Sequence, residues 1–326
     1  MFRSICKASR NQLIEESGAL YPTIDFSEHA APQIEFHVFG VPMLEIDPSD
    51  RRIAVFCEPS RLESLGIDVV RERDPILGRD FYLTEPVNKN SLDKNNISYC
   101  CFEKRWSNLI IGLFVSRSVD YFNLNDFQRH VARLSDKNGE QLKELERVLP
   151  LSKVTEVFQK LLIERVSVKN IRTVLNCLID WAQRERDVLV IAEQVRKGLF
   201  EQISFQHCVD KTFSIWTLSP DFEQSIRESI RSDGSRTFID ADASSLNLMV
   251  DMIEVQYSEF YHFEKLPLLI TSMDCRAHVR MLIQDRLSAV PVLSYQEISN
   301  RYGIKLLKSI EYDDSLISIN HYSREA

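Results

Sequence analysis

Histidine and cysteine often supply metal ligands and nucleophiles, and this chain has seven of each without the spacing that such sites need. No two cysteines form a C-x-x-C pair, and the adjacent His207 and Cys208 would point to different sides of a helix. The sequence has no G-x-G-x-x-G, G-x-x-x-x-G-K-[ST], H-E-x-x-H or G-x-S-x-G motif. We therefore predict no cofactor, no metal site and no catalytic residue. A hydrolase with a non-standard site is the enzymatic alternative.

The composition is that of an ordinary soluble protein, and its 326 residues suffice for several small domains. The net charge of −8 argues against nucleic acid as the partner. The longest apolar run, residues 109–115, is too short to span a membrane, and the N-terminus lacks the apolar core of a signal peptide. The scattered cysteines favour reduced thiols in a reducing compartment.

The clearest helical periodicity lies in residues 150–203, where apolar residues recur at spacings of three and four. The three stripes are Val154, Val157, Phe158, Leu161 and Leu162; Ile171, Val174, Leu175, Leu178 and Ala182; and Val188, Ile191, Val195 and Leu199. Ser167 and Asp187 stand where they can cap the second and third helices. Helices this short cannot bury their stripes alone, so we predict that they pack as one module.

Strands and helix starts alternate after this stretch. The predicted strands are 212–218, 236–239, 268–271, 292–293 and 304–310. Ser219, Asp240 or Asp242, and Ser272 stand where the intervening helices would begin, and such side chains accept hydrogen bonds from free helical N–H groups. This rhythm predicts a C-terminal α/β unit.

The first 134 residues mix both kinds of element. Residues 1–18 are predicted to form a helix that Gly18 ends. The predicted strands are 33–38, 43–47, 51–57, 81–83, 97–102 and 106–115, of which the last is the strongest. Residues 85–96 are rich in Asn, Lys and Pro and are predicted to be a loop, and 125–134 to be a helix.

Two separated stretches carry a resemblance to a known family. They are LLIERVSVKNIRTVLNCLIDWAQRERDVLVIAEQVRKGL at residues 161–199 and PLLITSMDCRAHVRMLIQDRLSAVPVLSYQEI at 267–298. Both resemble the type III secretion export-gate family, the large inner-membrane export proteins of flagella and virulence injectisomes. The N-terminal half departs from the flagellar pattern, which favours an injectisome member.

The resemblance implies an α+β fold with four subdomains. Subdomain 1 (mixed α/β) would cover 1–70 and 116–134, and a small inserted α/β subdomain 2 would cover 71–115. A helical, ring-building subdomain 3 would cover 135–208, and an α/β subdomain 4 would cover 209–326. Family members also carry an N-terminal membrane domain that is missing here. The chain is therefore expected to be the soluble fragment at the cytoplasmic face of the bacterial inner membrane.

The resemblance also implies a function. The chain would form a homo-oligomeric, nonameric ring that receives secretion chaperone–substrate complexes and helps to control export order. Gatekeeper and ATPase-stalk proteins of the export apparatus would be further partners, nucleic acid would not, and the membrane would be met only through the missing N-terminal domain. A soluble adaptor that forms no ring is the non-enzymatic alternative.

The sequence D-P-I-L-G at residues 74–78 is the candidate cargo contact. Pro75 holds the preceding residue extended and Gly78 permits an unusual backbone conformation, so an ordinary turn is the simplest interpretation. The resemblance implies more: Asp74 as a polar anchor, Leu77 as an exposed apolar contact and Gly78 as the residue that shapes the loop. A further position used for this contact in the family corresponds to Tyr121.

A charged face on the helical stretch is the candidate ring contact. The resemblance implies that Glu164, Arg165, Arg172, Arg184 and Glu185 meet neighbouring subunits. Mixed charges can supply the complementary edges that self-association needs. Taken without the resemblance, the same residues indicate a solvated helix face.

Overall fold

The computed structural model describes residues 1–28, 32–76, 78–132, 135–260 and 263–312. Helices and strands mix along the chain, and the predicted mixed fold class is confirmed. The first elements are α1 (Phe2–Ser17), β1 (Ile34–Val38) and β2 (Val41–Ile46). Gly18 ends α1 with a φ of 77°, in the left-handed conformation that a C-cap glycine supplies.

A small antiparallel sheet follows, with the strand order β4-β5-β3-β6. Its elements are β3 (Ile53–Phe56), α2 (Pro59–Ser64), β4 (Val70–Arg73), β5 (Asp80–Thr84), α3 (Lys89–Lys94) and β6 (Ser98–Cys100), with a 3-10 turn at Pro86–Asn88. The loop predicted at 85–96 is wrong, because this turn and α3 lie there and Leu92 anchors α3 under the sheet. The sheet also crosses the boundary predicted at residue 70, since β3 pairs with β5 and β6.

The strand predicted at 106–115 is wrong, because these residues lie in α4 (Phe102–Ser116). Trp106 and Leu113 of α4 pack with α1 and β2, whereas Ile111 and Val115 enter the main core. Apolar residues therefore surround the second half of this helix, residues 109–115, and hide its period. α4 packs mainly on α1, and it also contacts β3 of the small sheet with which it was grouped.

A series of helices forms the middle of the chain. They are α5 (Ser118–Tyr121), α6 (Leu124–Ala132), α7 (Ser135–Val148), α8 (Leu151–Ile163), α9 (Ile171–Ala182), α10 (Val188–Gly198) and α11 (Phe200–His207). Asp187 caps α10 as predicted, with its carboxylate accepting the Leu189 N–H at 2.8 Å. Ser167 does not cap α9; Asn170 does, by accepting the Thr173 N–H at 3.4 Å. The three predicted apolar stripes are buried except for the half-buried Val188.

The C-terminal part is built on a parallel sheet with the strand order β11-β10-β7-β12. Its elements are β7 (Thr212–Leu218), α12 (Pro220–Ser229), β8 (Ile230–Ser232), β9 (Thr237–Ile239), α13 (Ala243–Ser258), β10 (Leu268–Thr271), α14 (Met273–Ile283), β11 (Val292–Ser294), a 3-10 turn at Tyr295–Glu297 and β12 (Gly303–Ile310). β9 pairs only with β8, as a separate hairpin within the described chain. Leu269 of β10 faces α12–α14, whereas Leu268 and Ile270 face the helices α10 and α11, so β10 is buried on both sides.

One large apolar core runs through these parts. It joins Leu13 of α1, the three helical stripes, Phe213 of β7 and Leu293 of β11. The division into four subdomains stays a prediction, and this core takes residues from all four of the predicted ranges. In the parts of the chain that the structure describes, no helix has the length and apolar character needed to cross a bilayer.

Candidate functional site

The loop at residues 74–78 is closed by its own hydrogen bonds. Asp74 is only 8% exposed, and its Oδ1 accepts the Ile76 N–H at 2.8 Å. The Gly78 N–H donates to the Asp74 carbonyl at 3.0 Å, and the Asp74 N–H donates to the Arg79 carbonyl at 2.7 Å. Asp74 therefore shapes the loop from inside and does not project from it as the predicted polar anchor.

The inner side of this loop packs on the connection between α14 and β11. Arg73 Nη2 donates to the Arg286 carbonyl at 3.2 Å, and Ser288 Oγ donates to the Ile76 carbonyl at 3.1 Å. A Cβ atom added at Gly78 would lie 2.5 Å from the Arg286 carbonyl oxygen, so glycine is the residue that permits this approach. A partner of the loop must therefore meet its outer side.

Leu77 and Tyr121 are the other two side chains that are predicted to contact cargo. Leu77 lies outside the described residues. Tyr121 ends α5 and is half buried, with its ring edge-on to Tyr21 at 5.8 Å and Phe114 at 6.0 Å. Burial, and secondarily the neighbouring Tyr21, raises the pKa of Tyr121. Tyr121 packs on the main core, whereas Ile76 packs on the smaller cluster that Trp106 and Leu113 of α4 form with α1 and β2. The described apolar clusters therefore do not bring Tyr121 to the loop.

The predicted ring residues Arg172 and Arg184 are exposed on α9 and on the turn that follows it. The Arg184 guanidinium lies 5.9 Å from the centre of the Trp181 ring, within cation–π range. Arg165 follows α8 with a φ of 59° and pairs with Glu16 at 3.2 Å, with both side chains about half exposed. Exposed pairs of this kind contribute little and exchange partners readily.

Glu185 has a local role. Its carboxylate accepts the N–H groups of Arg186 at 2.6 Å and Asp187 at 2.9 Å, which fastens the turn between α9 and α10. This is a local bond from a side chain to the backbone just before the N-cap residue Asp187. The half-buried Glu185 therefore holds the shape of the predicted ring surface.

Glu164 lies away from the exposed face, which corrects its placement among the ring residues. Its side chain is 14% exposed and accepts from the Arg276 guanidinium at 2.5 and 3.0 Å and from Arg196 Nη1 at 3.2 Å. Burial acts to raise the pKa of Glu164, but the Arg276 and Arg196 charges outweigh it and hold the pKa at about 2. A carboxylate so engaged is not available to a neighbouring subunit.

The sequence interpretation missed these buried arginines, although one signal was present. Arg276 precedes Val279 and Ile283 by three and seven residues, so it occupies the buried stripe of α14. A charge in an apolar stripe needs a buried partner. The partner was not visible, because Glu164 lies 112 residues earlier in the chain.

No catalytic arrangement is found in the part of the chain that the structure describes. It contains no group of three His, Cys, Asp or Glu side chains that could hold a metal. A cavity of about 350 Å³ lies between β9, α13 and α14, and its lining is mainly apolar, without a titratable side chain. Such a cavity can accept an apolar group but cannot transfer a proton.

Comparison with known proteins gives one family. Residues 2–303 match the profile described as the FHIPEP family. Among curated proteins, the chain is similar to the hypersensitivity response secretion protein HrpI of Pseudomonas syringae pv. syringae, with 26% identity over 314 residues, which is 94% of this chain and 44% of that protein. The chain spans less than half the length of the curated relatives it matches.

Solved structures are similar over nearly the whole chain. The nonameric EscV cytosolic domain from the type III secretion system is 25% identical, with a TM-score of 0.74, over 94% of this chain and 92% of that one. Chlamydia pneumoniae CdsV, solved in complex with CdsO, is 25% identical with a TM-score of 0.77, over 94% and 89% of the two chains.

Proposed function

Because the chain belongs to the FHIPEP family, the export-gate proteins of type III secretion, we propose that it is the cytoplasmic domain of an export gate. It forms a homo-oligomeric ring at the cytoplasmic face of the inner membrane and receives secretion cargo. The family match over residues 2–303 carries this proposal, since it includes the helical module and three of the four strands of the C-terminal sheet. The role is transport and not catalysis.

The exposed cations of the helical module support ring formation. A ring needs two different surfaces on each copy that complement one another. Arg172 and Arg184 place exposed positive charge on the helical module of a chain whose net charge is −8, so an acidic edge of the next copy fits them. Contacts between exposed charges are weak and screened by salt, so the isolated domain assembles only at high concentration and low ionic strength.

Charge reversal tests this surface. The double variant Arg172→Glu and Arg184→Glu is expected to abolish rings seen by electron microscopy, because like charges then face each other. Arg301→Glu, an equally exposed arginine of the C-terminal part, is the matched control and should keep the rings. Unchanged rings in the double variant would place the interface elsewhere.

The loop at residues 74–78 is the proposed cargo contact. Its backbone is held by internal bonds and by the α14–β11 connection, so little entropy is lost when a partner meets its outer side. Leu77→Ala should weaken binding of a cognate chaperone–substrate complex by about tenfold, the usual loss for one central apolar contact. Asp74→Asn keeps an oxygen for the Ile76 N–H and removes only the charge, so its effect should be small.

Titration calorimetry with that complex measures both variants, and Val87→Ala, on the exposed neighbouring turn, is the control. Parent-like affinity of folded Leu77→Ala would remove the loop from the cargo site. The structure of CdsV with CdsO shows a relative bound to a second protein. We propose that this chain likewise binds other proteins, namely the gatekeeper and ATPase-stalk proteins of the export apparatus. Pull-down with each purified partner tests whether these proteins bind this chain.

A further inference from the structure

Five charged residues form a buried network between the helical module and the C-terminal sheet. We call it the Arg276 cluster: Glu164, Glu193, Arg196, Arg276 and Glu297. The first three lie at the end of α8 and on α10. The other two lie on α14 and on the 3-10 turn after β11. The two stretches that carry the family resemblance supply all five residues, one stretch on each side.

The guanidinium of Arg276 is the centre of the network. Its Nη1 and Nη2 donate to the two oxygens of Glu164 at 2.5 and 3.0 Å. Its Nε donates to Glu193 Oε2 at 2.5 Å, and Nη2 also contacts Glu193 Oε1. The Arg276 side chain is 1% exposed. One arginine of the C-terminal part is thus bound by two carboxylates of the helical module.

Arg196 makes the reciprocal connection. It belongs to the helical module, is 4% exposed, and contacts Glu297 of the C-terminal part at 2.7 Å as well as Glu164 at 3.2 Å. Glu297 is held in turn by the N–H and O–H groups of Ser294 at 2.6 and 2.9 Å. Each arginine therefore binds a carboxylate across the boundary between the two parts.

Charge is nearly balanced in this network. Three carboxylates face two guanidinium groups, and the guanidinium of Arg280 supplies a third positive charge that acts on Glu164. Arg280 is itself held by the Val290 and Ser288 carbonyls at 2.9 and 3.1 Å. Buried charges are tolerated when they are paired in this way.

Apolar contacts cross the same boundary, with Ile191 and Val195 in one core with Ile270 and Leu293. Such contacts are non-directional, so they allow two packed surfaces to shift against each other. Bidentate arginine–carboxylate pairs are directional, and a small shift leaves buried charges unpaired. The charged pairs therefore fix the position of the helical module relative to the C-terminal part, which the apolar contacts alone do not fix.

We propose that the Arg276 cluster is a lock that makes the helical module and the C-terminal sheet move as one rigid body. When a partner displaces the C-terminal part, the helices that are proposed to form the ring then move with it. A second buried tie supports the same boundary. Ser204 of α11 donates to the Glu297 carbonyl at 2.6 Å and accepts the Ser299 N–H at 2.8 Å.

Hydrogen exchange of the full chain tests the lock with Arg276→Lys. Lysine keeps the charge and the stem but loses the fork that binds two carboxylates at once. The expected result is exchange about 100-fold faster, confined to α14, to α10 and to the end of α8, with each part still folded and with thermal unfolding split into two transitions. Wild-type exchange, or a uniform acceleration with one transition, would overturn the proposal.

Three further variants keep the test decisive. Arg73→Met removes an arginine from the other, exposed contact of the C-terminal part and should leave α10 unchanged. Leu269→Ala destabilises the sheet without touching the cluster and should keep a single transition. If Arg276→Lys does not fold, the isosteric Glu193→Gln replaces it and is judged by the same two readouts.

Discussion

At the scale of single residues, the environment decides what a charge does. Glu164 was placed on a solvated face by its position in the sequence, yet its carboxylate lies under two arginines. Glu193, in the same cluster, is different: burial outweighs the nearby arginine charges and raises its pKa. The pKa values of two carboxylates bound to one guanidinium are therefore shifted in opposite directions.

Glu164 gives a prediction about pH. Its pKa falls from 4.5 in a free side chain to about 2 in the fold, so its ionised form stabilises the protein fully above pH 4.5. That contribution is lost as the pH falls from 4.5 towards 2. A shift of this size corresponds to about 3 kcal/mol. The free energy of unfolding of Glu164→Gln should therefore fall less steeply than that of the parent over this window.

Urea unfolding at a series of pH values measures this difference, and Glu144→Gln, on the surface of α7, is the control. Parallel stability curves for Glu164→Gln and the parent would show that the Glu164 carboxylate is not held by the arginines.

Glycine 78 gives a second prediction at this scale. Gly78 and Gly66 both have positive φ angles, +64° and +67°, but only Gly78 has a neighbour at the Cβ position, the Arg286 carbonyl oxygen. Alanine at Gly66 should cost about 1 kcal/mol through backbone strain alone. Alanine at Gly78 should cost more, because the loop must also leave the α14–β11 connection. Thermal unfolding of the two variants compares these costs, and equal losses would mean that the close approach is absent.

At the scale of elements, periodicity was a good guide where one face of a helix is buried. It predicted α8, α9 and α10, because each presents a single apolar stripe to the core. It failed for α4, which is covered on two sides, so that a run from 109 to 115 looks like a strand. It failed again at α3, a polar helix held by Leu92 alone. In both cases tertiary packing, and not local preference, decides the structure.

The candidate site could be predicted only in part for a related reason. The turn at Asp74 and Gly78 is readable from its residue types. Its contact with Arg286 is not, because the two segments are more than 200 residues apart in the chain. The same holds for Arg276, whose carboxylate partners come from two other helices. Sequence spacing shows which residues share a face, but it does not show what covers that face.

The central strand β10 gives the element-scale prediction. Leu269 is fully buried beneath α12–α14, and Leu→Ala at such a site removes contacts and leaves a cavity. Leu269→Ala should therefore lower the free energy of unfolding by about 2–5 kcal/mol. Val255→Ala, on the exposed side of α13, should change it by less than about 0.5 kcal/mol. Denaturant melts compare the two, and a loss near zero for Leu269→Ala would place β10 at the surface.

At the scale of the whole molecule, one core and one buried charge cluster join the helical module to the C-terminal sheet. The loop at residues 74–78 meets that sheet through hydrogen bonds and partly exposed ion pairs. The helical module and the C-terminal sheet thus share one core, and the proposed cargo loop and the exposed cations on α9 and the turn after it lie outside that core. This arrangement suits a subunit that must keep its shape within a ring.

Ring formation is the central claim. The most direct test is to measure the mass of the assemblies that the wild-type chain forms when it is attached to a membrane surface. Dilute protein should be a monomer of 37.9 kDa. Attachment by an N-terminal tag to nickel-lipid vesicles raises the local concentration, as a membrane domain would. Crosslinking there, followed by mass measurement and electron microscopy, should give closed rings of nine copies, about 341 kDa from nine times 37.9 kDa, as in the nonameric EscV domain. Folded chains that remain monomers at that density, or that stop at a closed dimer, would contradict the account.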